Sequence, residues 1–303
     1  METENNPLLL CVVGPTACGK TRLAAKLAHI LNGEIISADS RQVYREMNIG
    51  TGKDLDEYVI DGQPIPYHLI NIVDAGYKYS IYEFQRDFKN AYQDIIKRDK
   101  LPILCGGSGL YIEAVLDNYR LDYVPFNRGF RQKCSTLSME ELTEMLQQKK
   151  KLHNTTDTTD RERLIRALEI ALYNEEYPEL AAKFAPNHKL FYINGERDCL
   201  RQRIAVRLRQ RLENGMIEEV KSLMDSGIDV HYYGLEYRFI SHYLNGTLTY
   251  DEMLEQLEIA IGQFAKRQQI WFNRMKRKGF ELITIDPDMS DDDKLRFIIQ
   301  CCK

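Results

Sequence analysis

The stretch Leu8-Leu9-Leu10-Cys11-Val12-Val13-Gly14-Pro15-Thr16-Ala17-Cys18-Gly19-Lys20-Thr21 decides how the rest of the chain is read. Leu8–Val13 is an unbroken apolar run that stops at a glycine, the pattern of a strand buried in a parallel sheet. Thr21–Leu31 follows with Leu23, Leu27 and Ile30 at helical spacing, which predicts a helix with those three on its inner face. Between them, Gly14–Thr21 fits G-x-x-x-x-G-K-[ST] at every fixed position, in the strand-to-helix context that the motif requires. Its glycines let backbone N–H groups converge on an anion. The helix N-terminus adds a partial positive charge, and Lys20 adds a full one. The Thr21 hydroxyl is placed for Mg2+. Gly14, Pro15, Thr16, Ala17, Cys18, Gly19, Lys20 and Thr21 are thus the expected phosphate-binding loop. The pattern specifies a phosphate chain and not ATP, since any pyrophosphate-bearing molecule satisfies the same donors.

Outward from this loop, Glu34–Ala38 and Pro102–Cys105 read as further strands. Ser80–Arg98 reads as a helix with Phe84, Phe88, Tyr92 and Ile95 inward, and a second helix runs through Tyr111–Leu116. Alternating strands and helices predict an α/β fold, a P-loop NTPase-like parallel sheet flanked by helices. From Asp117 to Asn187 the texture turns polar and helix-prone, with helices at Ser138–Lys151 and Arg161–Tyr173 and a loop over Asn154–Thr159. This predicts an all-helical insertion domain at 117–187 within a core of 1–116 and 188–303. In the second half of the core, Leu190–Ile193 resumes the sheet. Helices follow at Arg197–Asn214, Ile217–Ser226, Glu236–Leu244 and Tyr250–Lys276, and Leu282–Ile285 is a last strand.

The 303 residues carry a net charge of -4, so any nucleic-acid binding has to come from local basic patches. The seven cysteines form no CxxC pair and read as reduced thiols of a cytoplasmic protein, with neither zinc nor disulfides expected. The six histidines lack ligand-like spacing, and His68, inside an apolar strand, reads as structural. No signal peptide or membrane span is expected, because the apolar run at Leu8–Val13 is too short for either. With no long coiled coil or exposed apolar stripe, a monomer is expected.

Asp39 follows the second strand. Ligands of parallel sheets bind beyond the carboxyl ends of the strands, so Asp39 should face the same crevice as the loop. There a carboxylate can order Mg2+ through water or accept a proton from a nucleophile. A helix N-cap is an equally good reading.

Six segments, in order, resemble the tRNA dimethylallyltransferase (isopentenyltransferase) family of bacterial type. They are GPTACGKT at Gly14–Thr21, ISADSRQVYREMNIGTGK at Ile35–Lys53, YHLINIVD at Tyr67–Asp74, LPILCGGSGLYI at Leu101–Ile112, RQRIAVRLRQRLENGMIEEV at Arg201–Val220 and FAKRQQIWF at Phe264–Phe272. The resemblance implies a loop that holds the pyrophosphate of dimethylallyl diphosphate. It implies transfer of the dimethylallyl group to the exocyclic amine of the adenosine 3′ of the anticodon, in tRNAs reading codons that begin with U, with release of diphosphate. It implies Mg2+ as cofactor. It makes Asp39 the general base, puts Thr16 near the bridging oxygen and sets Arg207 on the pyrophosphate. Arg203, Arg207 and Arg211 share one helical face, and Glu213 is a candidate partner for this stripe.

The acceptor would be the anticodon stem-loop, its base flipped into a channel. The resemblance puts Asp39, Ser40, Arg41, Gln42 and Ser108 on that base and its neighbours. It puts Arg131, Arg161, Arg163, Arg166, Arg238, Lys266, Arg267 and Gln268 on the tRNA. Lys276-Arg277-Lys278 reads as a solvated helix end, and Trp271 as a core residue. The chain departs from the family at Thr51-Gly52-Lys53-Asp54, which replaces the usual alanine and proline. It departs again at Gly234, shifted relative to Tyr237-Arg238, and in the missing zinc finger of eukaryotic members.

Overall fold

The computed structural model describes residues 7–117, 119, 121, 123–149, 156–177 and 184–302. Its main sheet has six strands: β1 (Leu9–Val13), β2 (Gly33–Ala38), β5 (Tyr67–His68), β6 (Leu101–Gly106), β7 (His188–Ile193) and β8 (Leu282–Ile285). The spatial order is β5-β2-β6-β1-β7-β8, and every pairing is parallel. A two-residue hairpin pair, β3 (Val59–Ile60) and β4 (Gln63–Pro64), stands apart. The apolar run at Leu9–Val13 is fully buried because both of its faces are covered. Leu9, Cys11 and Val13 join one hydrophobic cluster, and Leu10 and Val12 join the other. This is the two-residue period of a strand in a doubly covered sheet.

The first cluster also takes Phe84, Phe88, Tyr92 and Ile95 from α2 (Ile81–Lys97). Ser80 caps α2 and exchanges hydrogen bonds with Glu83 in a capping box. The same cluster draws on α3 (Gly109–Leu116). On the other face lies α1 (Lys20–Ile30), which buries Leu23 and Leu27. Ile30, expected inward, is exposed at the last turn, and Ala24 and Ala28 complete the buried face instead.

The chain divides into two compact units, Met1–Tyr119 with Phe184–Lys303, and Arg120–Lys183. The second unit holds α4 (Arg128–Cys134), α5 (Met139–Lys149), the single turn α6 (Thr156–Thr159) and α7 (Arg161–Glu176). Its own core is built from Cys134, Leu142, Leu146, Leu164, Ile165 and Leu168. Among the described residues it contains no strand. α4 was not foreseen: Asn127 caps it by accepting from the Phe130 amide at 3.0 Å. The expected loop at Asn154–Thr159 gives way to α6 from Thr156 onward, while Asn154 and Thr155 lie outside the described residues.

In the first unit, β7 is followed by α8 (Arg197–Glu213), α9 (Met216–Asp225), α10 (Leu235–Leu244) and α11 (Tyr250–Arg277). After β8 comes α12 (Asp291–Cys302), also unforeseen, which packs Leu295 and Ile298 into the second cluster. His68 sits at the sheet edge, 2.7 Å from Glu34, which Arg98 also binds. No helix among the described residues is long and apolar enough to cross a membrane.

Candidate functional site

The carboxyl ends of β1, β2 and β6 meet, and the chain turns there three times: into Gly14–Thr21, into Asp39–Gln42 and into Gly107-Ser108. α11 ties two of these turns together. The Thr16 amide donates to Gln268 Oε1 at 2.8 Å, and Gln268 Nε2 donates to the Gly107 carbonyl at 2.9 Å. The contact is so close that a Cβ at Gly107 would lie 2.4 Å from Gln268 Nε2. Gln268 is therefore a buried cross-tie, and its amide is occupied inside the protein. It also lines the cavity described next.

Thr16, Lys20, Thr21, Asp39, Ser108 and Arg207 all line one cavity of about 550 Å3. Lys20 Nζ curls onto the Pro15 carbonyl at 3.1 Å. Asp39 caps no helix. Its Oδ1 accepts from the Arg41 amide at 2.9 Å, which fixes the carboxylate at the end of β2. The Ser40 amide donates to Ser108 Oγ at 3.0 Å, locking the second turn to the third. Arg41 donates to the Tyr232 carbonyl at 2.8 Å and lies over the Tyr232 ring. Gln42 is buried, with Ser37 donating to its oxygen and its Nε2 donating to the Gly52 carbonyl at 3.1 Å each. These bonds hold the wall in shape and leave Gln42 its second amide N–H on the cavity lining.

The opposite wall is the loop 48–54. Glu219 accepts from the amides of Asn48, Ile49 and Gly50 at 2.8–3.0 Å and from the Tyr237 hydroxyl. Lys53 is buried and donates to the Tyr44 carbonyl and to Asn48; burial pushes its ammonium down to about 8. Asp54 accepts from Arg207 and from Arg211 at 3.3 Å, so it replaces Glu213 as the partner of the stripe. Burial alone would raise the Asp54 carboxyl, but the two guanidiniums outweigh it and hold it below its ordinary value. Arg203 lines a neighbouring cleft of about 490 Å3 together with Asp54, Glu57, Arg207 and Arg211.

The departures from the family pattern acquire physical reasons here. Gly52 stands at φ +64, and a Cβ on it would lie 1.9 Å from Arg211 Nη2. An alanine would displace that guanidinium. Gly234 precedes α10 as its cap residue, with Tyr237 buried and Arg238 exposed on the cavity lining. Glu236 also lines the cavity, and burial pushes its carboxyl up. Nothing in the local sequence marked it. Trp271, read as core, packs against the core and also lines the cavity, with Arg274 stacked 4.0 Å above its ring.

The basic patches sort differently from their sequence pattern. Arg267 and Arg238 are exposed on the cavity lining, and Lys266 is exposed beside them on α11. In the second unit, Arg161 donates to the carbonyls of Cys134 and Leu137 at 2.7 Å and so serves the end of α4. Arg131 and Arg166 both bind Glu169, which is buried. A buried carboxylate has to be paired, so Arg131 and Arg166 are tied to the fold, although the Arg166 side chain stays 39% exposed. Arg163, on the same helix, is exposed. Lys278 and Arg274 neutralise the buried Glu113.

Thr21 offers a hydroxyl and Asp39 one carboxylate. Among the described residues there is no cluster of three His, Cys, Asp or Glu side chains that could hold a metal. That donor set fits a Mg2+ held mainly by substrate phosphates, the usual manner for this ion.

A family model described as IPP transferase matches residues 42–275, and one described as isopentenyl transferase matches residues 8–71. The chain is 52% identical over 295 residues to tRNA dimethylallyltransferase 2 of Phocaeicola vulgatus, covering 96% of each chain. It is 49% identical to the Bacteroides fragilis protein of the same name, over 97% of this chain and 98% of that one. Among solved structures, the full-length tRNA isopentenylpyrophosphate transferase of Bacillus halodurans matches with a TM-score of 0.72 at 32% identity, covering 98% of this chain and 96% of that chain. A eukaryotic dimethylallyltransferase acting on tRNA shares the fold, with a TM-score of 0.76 at 24% identity over 93% of this chain and 74% of that chain.

Proposed function

The chain belongs to the IPP transferase family, and on that premise we propose how it works as a tRNA dimethylallyltransferase. It moves the dimethylallyl group of dimethylallyl diphosphate onto the exocyclic amine of the adenosine 3′ of the anticodon, in tRNAs reading codons that begin with U. The observation that carries this reading is the convergence of Thr16, Lys20, Thr21, Asp39 and Arg207 on one cavity.

The loop Gly14–Thr21 holds the diphosphate. In the reaction, the bond between the allylic carbon and the bridging oxygen breaks, and its electron pair leaves with the diphosphate. The amine nitrogen forms the new bond to that carbon and gives up a proton. Negative charge grows on the leaving group, so preorganised positive charge lowers the barrier. Lys20, Arg207 and the α1 N-terminus supply it, and Thr16 hydrogen-bonds near the bridging oxygen. Thr21, and Asp39 through a water, would hold a Mg2+, which would supply charge neutralisation on the diphosphate. Asp39 takes the amine proton. Its hydrogen bond from the Arg41 amide keeps one carboxylate oxygen directed and leaves the other for the base.

On the acceptor side, Ser40, Arg41 and Ser108 sit at the turn beside Asp39. Arg238, Arg267 and Lys266 supply exposed positive charge, and Arg163 does so on the helical insertion. The protein acts as a monomer.

The test is incubation with labelled dimethylallyl diphosphate, Mg2+ and undermodified tRNA. Label should appear in tRNA. No transfer, together with ATP consumption on a small acceptor, would overturn this reading in favour of a small-molecule kinase.

A further inference from the structure

Arg207 has its place at the diphosphate by resemblance, but Arg211, one turn along α8, has none. Both side chains converge on Asp54, and both line the cavity that holds Thr16, Lys20 and Thr21. Asp54 is the one carboxylate that either guanidinium pairs with directly among the described residues, while Glu57 and Glu236 act on them only from farther off. The Arg211 side chain is 14% exposed, and its Nε is buried with no hydrogen-bond partner among the described residues. A buried donor left unpaired is costly, so a purely structural arginine here would be a poor solution. Burial, and then the neighbouring Arg207 charge, push the Arg211 guanidinium down from its ordinary value. The backbone is nonetheless shaped to admit it. Gly52, at φ +64, leaves the space that a Cβ would take from Arg211. Asp54 itself stands at φ 42, a left-handed conformation that side chains other than glycine rarely adopt. Such strain persists where the surroundings over-determine it, and it concentrates at ligand clamps.

We propose that Arg211 is a second diphosphate-binding guanidinium, and that Asp54 is a place-holder that keeps both arginines aimed at the cavity and yields them to the substrate's diphosphate. The proposal rests on the diphosphate reading of the cavity given above. The exchange needs no covalent step: one carboxylate gives way to an anion of greater charge, which both planar forks can bind bidentately.

Calorimetric titration of the intact chain with inorganic pyrophosphate and Mg2+ tests it. Arg211→Gln should weaken pyrophosphate binding about tenfold or more, the loss of one charge-assisted bidentate contact. Gly52→Ala, which pushes the guanidinium aside without removing its charge, should weaken it in the same direction. Asp54→Asn should tighten binding by about threefold or more, because the competing charge is gone. Should Arg211→Gln fold poorly, as judged by its melting transition, Arg211→Lys carries the test, with an affinity between those of wild type and Arg207→Gln. Wild-type affinity in Arg211→Gln or Arg211→Lys, alongside a loss in Arg207→Gln, overturns the role of Arg211 and leaves the diphosphate reading standing. Weaker binding in Asp54→Asn overturns the place-holder. Unchanged affinity in Arg207→Gln and Lys20→Ala as well overturns the diphosphate reading itself.

Discussion

Two arginine pairs in this chain each converge on a single carboxylate, and they are built for different purposes. In the helical insertion, Arg131 and Arg166 meet Glu169, whose side chain is 1% exposed. Glu169 also accepts from the Asn127 amide, so its oxygens are fully used. On α8, Arg207 and Arg211 meet Asp54, whose side chain is 34% exposed in the neighbouring cleft and whose carboxylate has no other hydrogen-bonded donor among the described residues. The first cluster is closed, and nothing could replace its anion without unfolding the unit. The second is open on the side of the neighbouring cleft, and a stronger anion that reaches its two guanidiniums from the cavity can take the carboxylate's place. Identical side chains therefore make a structural knot in one unit and an exchangeable clamp in the other. Burial of the carboxylate decides which.

The contrast can be broken at its stable end first. Glu169→Ala strands two arginines at a buried site and should cost about 3–5 kcal/mol of stability in urea unfolding. Asp54→Ala, at a partly exposed pair, should cost about 1 kcal/mol or less. Equal losses would erase the distinction between knot and clamp. Next in size is the chemistry of the cavity. Asp39→Ala should cut turnover by about a hundredfold or more with tRNA affinity nearly intact. Lost tRNA binding with normal single-turnover chemistry would remove Asp39 as the base.

Acid sharpens the comparison further. Burial tends to raise the Glu169 carboxyl, but its hydrogen bonds from Arg131, Arg166 and Asn127 bring it below the ordinary value of 4.5. A carboxyl lowered in the folded state stabilises the fold above its unfolded value, and that contribution is lost as pH falls through the folded value. Wild type should therefore lose stability below pH 4.5 more steeply than Glu169→Gln in melts across acid pH. Parallel curves would show that the carboxylate is not what acid attacks. The smallest effect belongs to the exposed cations. Lys266→Ala should weaken tRNA binding and reduce its salt slope by about one, whereas Arg161→Ala should leave the slope unchanged. An unchanged slope for Lys266 would take it out of the interface.

What the sequence made legible was local. The buried face of Leu9–Val13, the inward stripe of α2 and the phosphate loop each depend on periods and patterns spanning a few residues. Asp54 and Arg207, by contrast, are 153 residues apart, and Thr16 and Gln268 are 252 apart. No periodicity encodes such partnerships. The arginines of the insertion show the cost of that blindness. Arg161, Arg163 and Arg166 look like one basic patch when read in order, but two of them are engaged by carbonyls and by Glu169. A charge run does not reveal which of its members meets a buried acid. Resemblance reached Asp39 and Thr16 because those residues sit inside ordered motifs. It could not reach Glu236, which has no motif of its own.

The strand order carries a consequence for how the molecule is made. β1 leads directly into the phosphate loop, yet it lies in the middle of the sheet between β6 and β7. A growing chain produces Leu9–Val13 long before Leu101–Gly106, and longer still before His188–Ile193. Until both partners have been synthesised, β1 is an apolar ribbon with two unpaired edges, the kind of segment that chaperones guard against aggregation. Its contacts close large loops, which slows the search for the folded state. The strand that is translated before both of its partners thus becomes one of the last to take its working shape.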